Sequence, residues 1–179
     1  MVLILPGVHS LEQHHRRLQV QPEDYRPERC PHCGKAGVWC HGAYSRKADR
    51  EGRCDACLNP VPIPRFFCSH CQATCSRLPQ CLAPRRWYRW AVQQAVLLRV
   101  IGGASVRQVS RQMVPSRRTV RRWWQSFQSR FCLHAAGLRS WFPELGYHEG
   151  FHAFWGACLT LMPLSLAMLL VHQSGFPVP

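Results

Sequence analysis

The chain has 179 residues, 46% of them hydrophobic. That is long enough for one ordinary domain or two small ones, and too apolar for disorder throughout. Its formal net charge of +14 and pI of about 10.0 indicate a polyanionic partner, nucleic acid first.

Residues 1–29 carry scattered charge and the prolines Pro22 and Pro27 without a sustained period, and predict an irregular lead-in. The apolar start, Met1 to Gly7, is too short for a secretory signal, lacks a basic flank and breaks at Pro6. Without an export signal a disulfide framework is not expected, so the 11 cysteines are read as thiols of a reduced, cytoplasmic protein whose paired cysteines hold metal.

Residues 30–83 are dense in Cys, Gly and Pro and predict a small zinc ribbon. Cys30-Pro31-His32-Cys33-Gly34 has the form of a zinc knuckle, in which the glycine permits a turn whose backbone N–H groups donate to the sulfurs. Cys68-Ser69-His70-Cys71 supplies a second arm. Together Cys30, Cys33, Cys68 and Cys71 make an all-thiolate set for one structural Zn2+. The competing reading is four buried free thiols. Apolar runs at Val38-Trp39 and Val61 to Phe67 suit strands, with Pro62 and Pro64 restricting the second to an edge.

A third pair, Cys54 and Cys57, leaves the wiring open. It can join Cys68 and Cys71, leaving Cys30 and Cys33 to Cys40 or His41; it can form a second site with Cys40 and His41; or it can stay unligated. Cys75, Cys81, Cys132 and Cys158 lack paired spacing and are read as core. A thiol-redox role would need such a pair at a helix N-terminus in a βαβ setting, and no such pattern occurs.

Residues 84–142 take on a helical period. Ala91, Ala95, Leu98 and Ile101 predict one helix face, stopped by Gly102-Gly103. Ser105 caps a short helix with Val106, Val109 and Met113 on one side, and Val114-Pro115-Ser116 turns into another helix capped by Ser116. Val120, Trp123, Trp124 and Phe127 form the apolar face of this last helix, which leaves Arg117, Arg118, Thr119, Arg121, Arg122 and Gln125 on the other side. Two short helices, a three-residue break and a basic second helix are the sequence form of a helix-turn-helix.

Between Asp55 and Glu144 there is no acidic residue, while fourteen positions from Arg65 to Arg139 are arginine. Arginine-biased codon usage explains the scarcity of lysine, limited to Lys35 and Lys47, but not the missing Asp and Glu. The segment therefore reads as one built to face phosphate. Arg117, Arg118, Arg121 and Gln125 are the candidates for base edges of duplex DNA, with Thr119 beside them. Arg85, Arg86, Arg107, Arg111 and Arg122 suit phosphate contacts.

Residues 143–179 predict a separate helical tail, broken at Pro143 and Pro163 and ended by Gly175, Pro177 and Pro179. Its most apolar stretch, Ala157 to Val171, is shorter than the roughly 20 residues a membrane helix needs, so no membrane partner is expected. His148-Glu149-Gly150-Phe151-His152 matches H-E-x-x-H, the signature of zinc hydrolases that grip the ion with two histidines one helical turn apart. Against that reading, Gly150 weakens the helix the motif needs, and only His172 or Cys158 remains as a third ligand.

The run from Cys30 through Phe127 resembles the zinc-ribbon and helix-turn-helix region of bacterial insertion-sequence transposases and related short proteins. The residues carrying the resemblance are Cys30-x-x-Cys33, His41-Gly42-x-Tyr44-x-Arg46, Ile63-Pro64-Arg65-Phe66-x-Cys68-x-x-Cys71, Leu78-Pro79, Pro84-Arg85-Arg86-x-Tyr88, and Ser105 to Trp124. The resemblance implies binding to the DNA ends of a mobile element. The acidic-triad chemistry of that family needs three carboxylates, yet Glu144 and Glu149 are the only acids after the reader helix. A non-catalytic role follows: an accessory partner of a transposase subunit, a self-associating remnant, a transcriptional regulator of the same build, or a plain zinc scaffold. The fold expected is α+β, mostly α: an N-terminal zinc ribbon, a helical helix-turn-helix bundle and a helical tail.

Overall fold

In the computed structural model, which describes residues 2–47, 59–84 and 88–178, strands dominate one half of an α+β chain and helices the other. Two units pack independently, Met1–Arg89 and Trp90–Pro179.

The first unit contains β1 (Val2–Leu5), α1 (Leu11–Val20), a 3-10 turn (Pro22–Tyr25), β2 (Val38–Arg46), β3 (Val61–Cys68) and β4 (Thr74–Pro79). The four strands form one sheet in the order β1-β4-β3-β2, parallel between β1 and β4 and antiparallel elsewhere. Residues 1–29 are therefore not an irregular lead-in. Ser10 caps α1 by accepting the Gln13 N–H at 3.2 Å, and α1 buries Leu11 and His14. Because one of these two buried residues is a histidine, apolar spacing does not reveal the helix. His14 joins the core by satisfying both ring nitrogens: Nδ1 meets the Tyr25 hydroxyl at 2.6 Å and Nε2 the Pro62 carbonyl at 2.8 Å. Burial lowers its pKa and keeps the ring neutral.

Alternate residues of β3 feed two small cores, one on each sheet face. Phe66 and Cys68 pack with Leu5, Val8, Tyr25, Cys30, Val38 and Cys75, whereas Val61 and Ile63 pack with Leu11, Leu78 and Leu82. β3 lies inside the sheet despite Pro62 and Pro64. Its register with β2 runs through both prolines, but its pairing with β4 covers Arg65 to Phe67. The proline half thus has a ladder partner on one side, and the missing N–H groups cost no bond.

The second unit is helical: α2 (Trp90–Ile101), α3 (Val106–Gln112), α4 (Arg117–Ser129), α5 (Phe131–Trp141), a 3-10 turn (Pro143–Tyr147), α6 (Phe151–Leu161) and α7 (Leu164–Gln173). α2 buries Trp90, Gln93, Val96 and Leu97, not the face drawn through Ala91 and Leu98, the latter 41% exposed. A glutamine on the buried side shifts the true stripe out of the apolar pattern. Phe127, Trp155 and Phe154 meet edge to face at 5.3 and 5.6 Å.

Residues 143–179 belong to this core and are not a separate tail. The Leu164 N–H donates to Gln94 Oε1 at 2.8 Å. His134 Nε2 meets the Pro177 carbonyl at 3.1 Å, and Arg130 donates to the Val178 carbonyl at 2.7 Å. Among the described residues no single helix is long and apolar enough to cross a membrane. α6 and α7 together have the length and composition, but bend by 106° at the break between them.

Candidate metal centre and nucleic-acid interface

Two tight turns of the same design bring four sulfurs together. In the first, the Gly34 N–H donates to the Cys30 carbonyl at 2.8 Å and the Cys30 N–H to the Lys35 carbonyl at 2.8 Å. In the second, the Gln72 N–H donates to the Cys68 carbonyl at 2.9 Å and the Cys68 N–H to the Ala73 carbonyl at 3.0 Å. Both turns require left-handed backbone after their second cysteine, with φ of 72° at Gly34 and 57° at Gln72. Register pairing of Val38 with Cys68 joins the knuckles to one end of the sheet.

Cys30 Sγ lies 3.6 Å from Cys71 Sγ, Cys33 Sγ lies 3.7 Å from Cys68 Sγ, and the four ligand atoms fall within 4.8 Å of one another. Disulfides would bring sulfurs to about 2.05 Å. Four thiolates about 2.3 Å from a tetrahedral ion stand about 3.8 Å apart. The observed separations match the second arrangement, so the cluster has the dimensions to hold a metal ion.

The electrostatics agree. Backbone N–H groups of Cys33 and His32 point at Cys30 Sγ, the latter at 3.4 Å, and hold its thiol down at about 6. Cys71 receives the Ala73 N–H, which favours the thiolate, but partial burial and the sulfurs of Cys30, Cys33 and Cys68 outweigh it and push the thiol up to about 12. Cys30 thus favours the thiolate and Cys71 resists it; a divalent ion beside both sulfurs would favour both thiolates.

The other cysteines divide differently. Cys40 and His41 are exposed on β2, and the His41 ring lies 5.7 Å from that of Phe67. Cys54 and Cys57 lie outside the described residues, so the structure brings no second ligand set together among those it describes. Cys75 and Cys158 are buried, Cys81 is half-buried and Cys132 is exposed. Reading Cys132 as core is therefore corrected: it stands on the outward side of α5. Burial pushes the Cys158 thiol up to about 12.

The H-E-x-x-H residues do not share a helix. His148 ends the 3-10 turn, Gly150 takes a φ of 76° as the residue before α6, and helix begins at Phe151. His152 instead sits 5.7 Å from the Trp124 ring. A left-handed residue between the two histidines removes the one-turn spacing that places both on one ion.

α3 and α4 are set by their caps. Ser105 and Gln108 form a reciprocal capping box at the start of α3. Ser116 Oγ accepts the Thr119 N–H at 3.4 Å and lies 3.1 Å from the Thr119 hydroxyl, so Thr119 is half-buried and engaged in the cap. α4 buries Val120, Trp123 and Phe127. Trp124 is half-buried, 4.9 Å from the Phe151 ring.

Arg117, Arg118, Arg121, Arg122 and Gln125 are all exposed, as are Arg107 and Arg111 of α3. Other arginines of this unit have structural partners: Arg99 donates to Gln112 Oε1 at 2.6 Å, Arg130 to Val178, and Arg139 to the His148 carbonyl at 3.2 Å. The ion pairs Arg17–Asp24 and Arg26–Glu23 lie in the first unit, and none among the described residues involves α3 or α4. This division into tied and untied arginines is invisible in the sequence. Arg85 and Arg86 lie outside the described residues.

A family model described as "Domain of unknown function (DUF6431)" matches residues 30–123. The match begins at the first cysteine of the four-cysteine cluster and ends inside α4. No curated protein and no solved structure matches the chain.

Proposed function

The chain belongs to the DUF6431 family, and we propose that it is a zinc-stabilised protein that binds duplex DNA through α4. The observation that carries this reading is the outward face of that helix, where Arg117, Arg118, Arg121, Arg122 and Gln125 are exposed in a chain segment without acids. On this reading α3, the bend at Val114-Pro115 and α4 are a helix-turn-helix. Arg117, Arg118, Arg121 and Gln125 reach base edges in the major groove, while Arg107, Arg111 and Arg122 bind phosphate. Arg85 and Arg86 are assigned to phosphate on sequence grounds.

Cys30, Cys33, Cys68 and Cys71 hold Zn2+ in a closed structural site, which suits a reduced compartment such as the cytoplasm. The metal does no chemistry; it fixes both knuckles of a ribbon whose two small cores are modest for its length. Resemblance to insertion-sequence transposases assigns the DNA to a mobile element. Glu144 and Glu149 are two carboxylates where an acidic triad uses three, so the reading is DNA binding and does not extend to strand cleavage.

Gel shifts of a labelled duplex across a salt series test the reading. Arg118→Ala with Arg121→Ala should cut affinity about tenfold or more and relax sequence preference, while Arg107→Ala with Arg111→Ala should flatten the slope of log affinity against log salt by about 2. Absence of binding to any duplex at low salt would sink it.

A further inference from the structure

One face of the β2–β3 pair is unusual in its exposed rings. Trp39 and Phe67 are register partners, so their side chains project to the same side, and Arg65 joins them two residues along β3. Trp39 is 60% exposed, Phe67 is half-buried, and His41 and Arg65 are exposed. The His41 ring lies 5.7 Å from the Phe67 ring, and the Arg65 guanidinium stands 5.8 Å from the centroid of Tyr44. Two residues along β2, His41 follows Trp39 onto the same face, and its distance to the Phe67 ring agrees; the register shift lies between Cys40 and Ala43.

Most of this face's length is structural: Val61, Ile63 and Leu78 line its other end and are buried. Among the described residues its open end has no such cover, although burying Trp39 would remove more apolar area from water than any other residue there. Neither β2, β3 nor β4 contains an acidic residue. An apolar protein partner would have to bury the Arg65 charge and the His41 ring without compensation, which opposes docking. Flat rings beside a guanidinium match a strand of phosphates bearing bases. A duplex hides the faces of its bases within the stack, so rings can engage them only where a strand is unpaired.

We infer that the open end of the β2–β3 face is a stacking platform for single-stranded DNA, with Trp39, His41 and Phe67 receiving bases and Arg65 a phosphate. It rests on the proposed duplex reading only in the choice of DNA over RNA. The two contacts use different units of the chain, so their failures separate.

The full zinc-loaded chain is titrated into fluorescein-labelled oligo(dT) at low salt and followed by anisotropy. Trp39→Ala should weaken binding about tenfold, the loss of one stacked base. Trp39→Tyr should retain it, and His41→Ala should weaken it severalfold. Zinc content and far-ultraviolet circular dichroism report whether each variant keeps its fold. Arg118→Ala with Arg121→Ala should leave oligo(dT) binding in place while weakening duplex binding about tenfold or more. The inference is overturned if oligo(dT) does not bind the parent chain, if Trp39→Ala and His41→Ala bind it as the parent does, or if oligo(rU) binds more tightly than oligo(dT).

Discussion

Replacing Gly34 by Ala and Gln72 by Gly should move zinc affinity in opposite directions. Both residues follow the second cysteine of a knuckle and hold left-handed backbone, φ 72° and 57°. A Cβ placed on Gly34 meets no atom within 4 Å, and Gln72 is exposed. Neither substitution disturbs packing, which isolates the backbone contribution. Left-handed conformation costs an L-residue about 1–2 kcal/mol, and glycine loses about 0.5–1 kcal/mol more entropy than alanine on ordering. The difference weakens the folded knuckle by about 0.5–1 kcal/mol in Gly34→Ala and strengthens it by a similar amount in Gln72→Gly. Metal binding is coupled to folding in such domains, so the effect appears in zinc affinity. Each variant should shift about 2- to 5-fold from the parent, and the two should differ by about 5- to 30-fold. Competition against a chromogenic zinc chelator at fixed pH measures this. Equal affinities, or the reverse order, refute the reasoning.

Metal analysis of the purified chain should give one zinc per chain, unchanged by Cys54→Ser with Cys57→Ser and lost with Cys68→Ser; a fall from two to one in the double variant indicates a second site with Cys40 and His41. His134 is fully buried, and burial pulls its pKa down to about 4. The unfolded chain therefore binds the proton more tightly, and stability falls with pH from about 6.5 towards 4, by on the order of 3 kcal/mol. Thermal melts of the parent and His134→Asn over that window should show a shallower acid loss in the variant; parallel curves count against the assignment, since metal release acts on both chains alike. Phe127→Ala should cost about 3–5 kcal/mol, read from denaturant unfolding, because Phe127 is buried against Trp155 at 5.3 Å.

Local features were the most legible ones. The two knuckles, the Ser105 and Ser116 caps and the buried set Val120, Trp123 and Phe127 all follow from spacings within a few residues. α1 was not legible, because its buried side depends on a histidine whose partners, Tyr25 and Pro62, are remote in sequence. The true face of α2 was hidden by Gln93. The H-E-x-x-H match misled for a related reason: a motif written in one-letter code does not record the left-handed backbone at Gly150.

By itself the sequence determined which residues had the chemistry to hold a metal and where positive charge accumulates without acids, since composition and short spacings are properties of the chain alone. It left three wirings open for the cysteines. Tertiary structure decided among the described residues that Cys30 and Cys33 meet Cys68 and Cys71, because that meeting depends on the register of β2 against β3. It also decided which arginines are spent on carbonyls and amides and which remain free on α3 and α4, because a guanidinium's partner is set by what folds beside it and not by its neighbours in the chain.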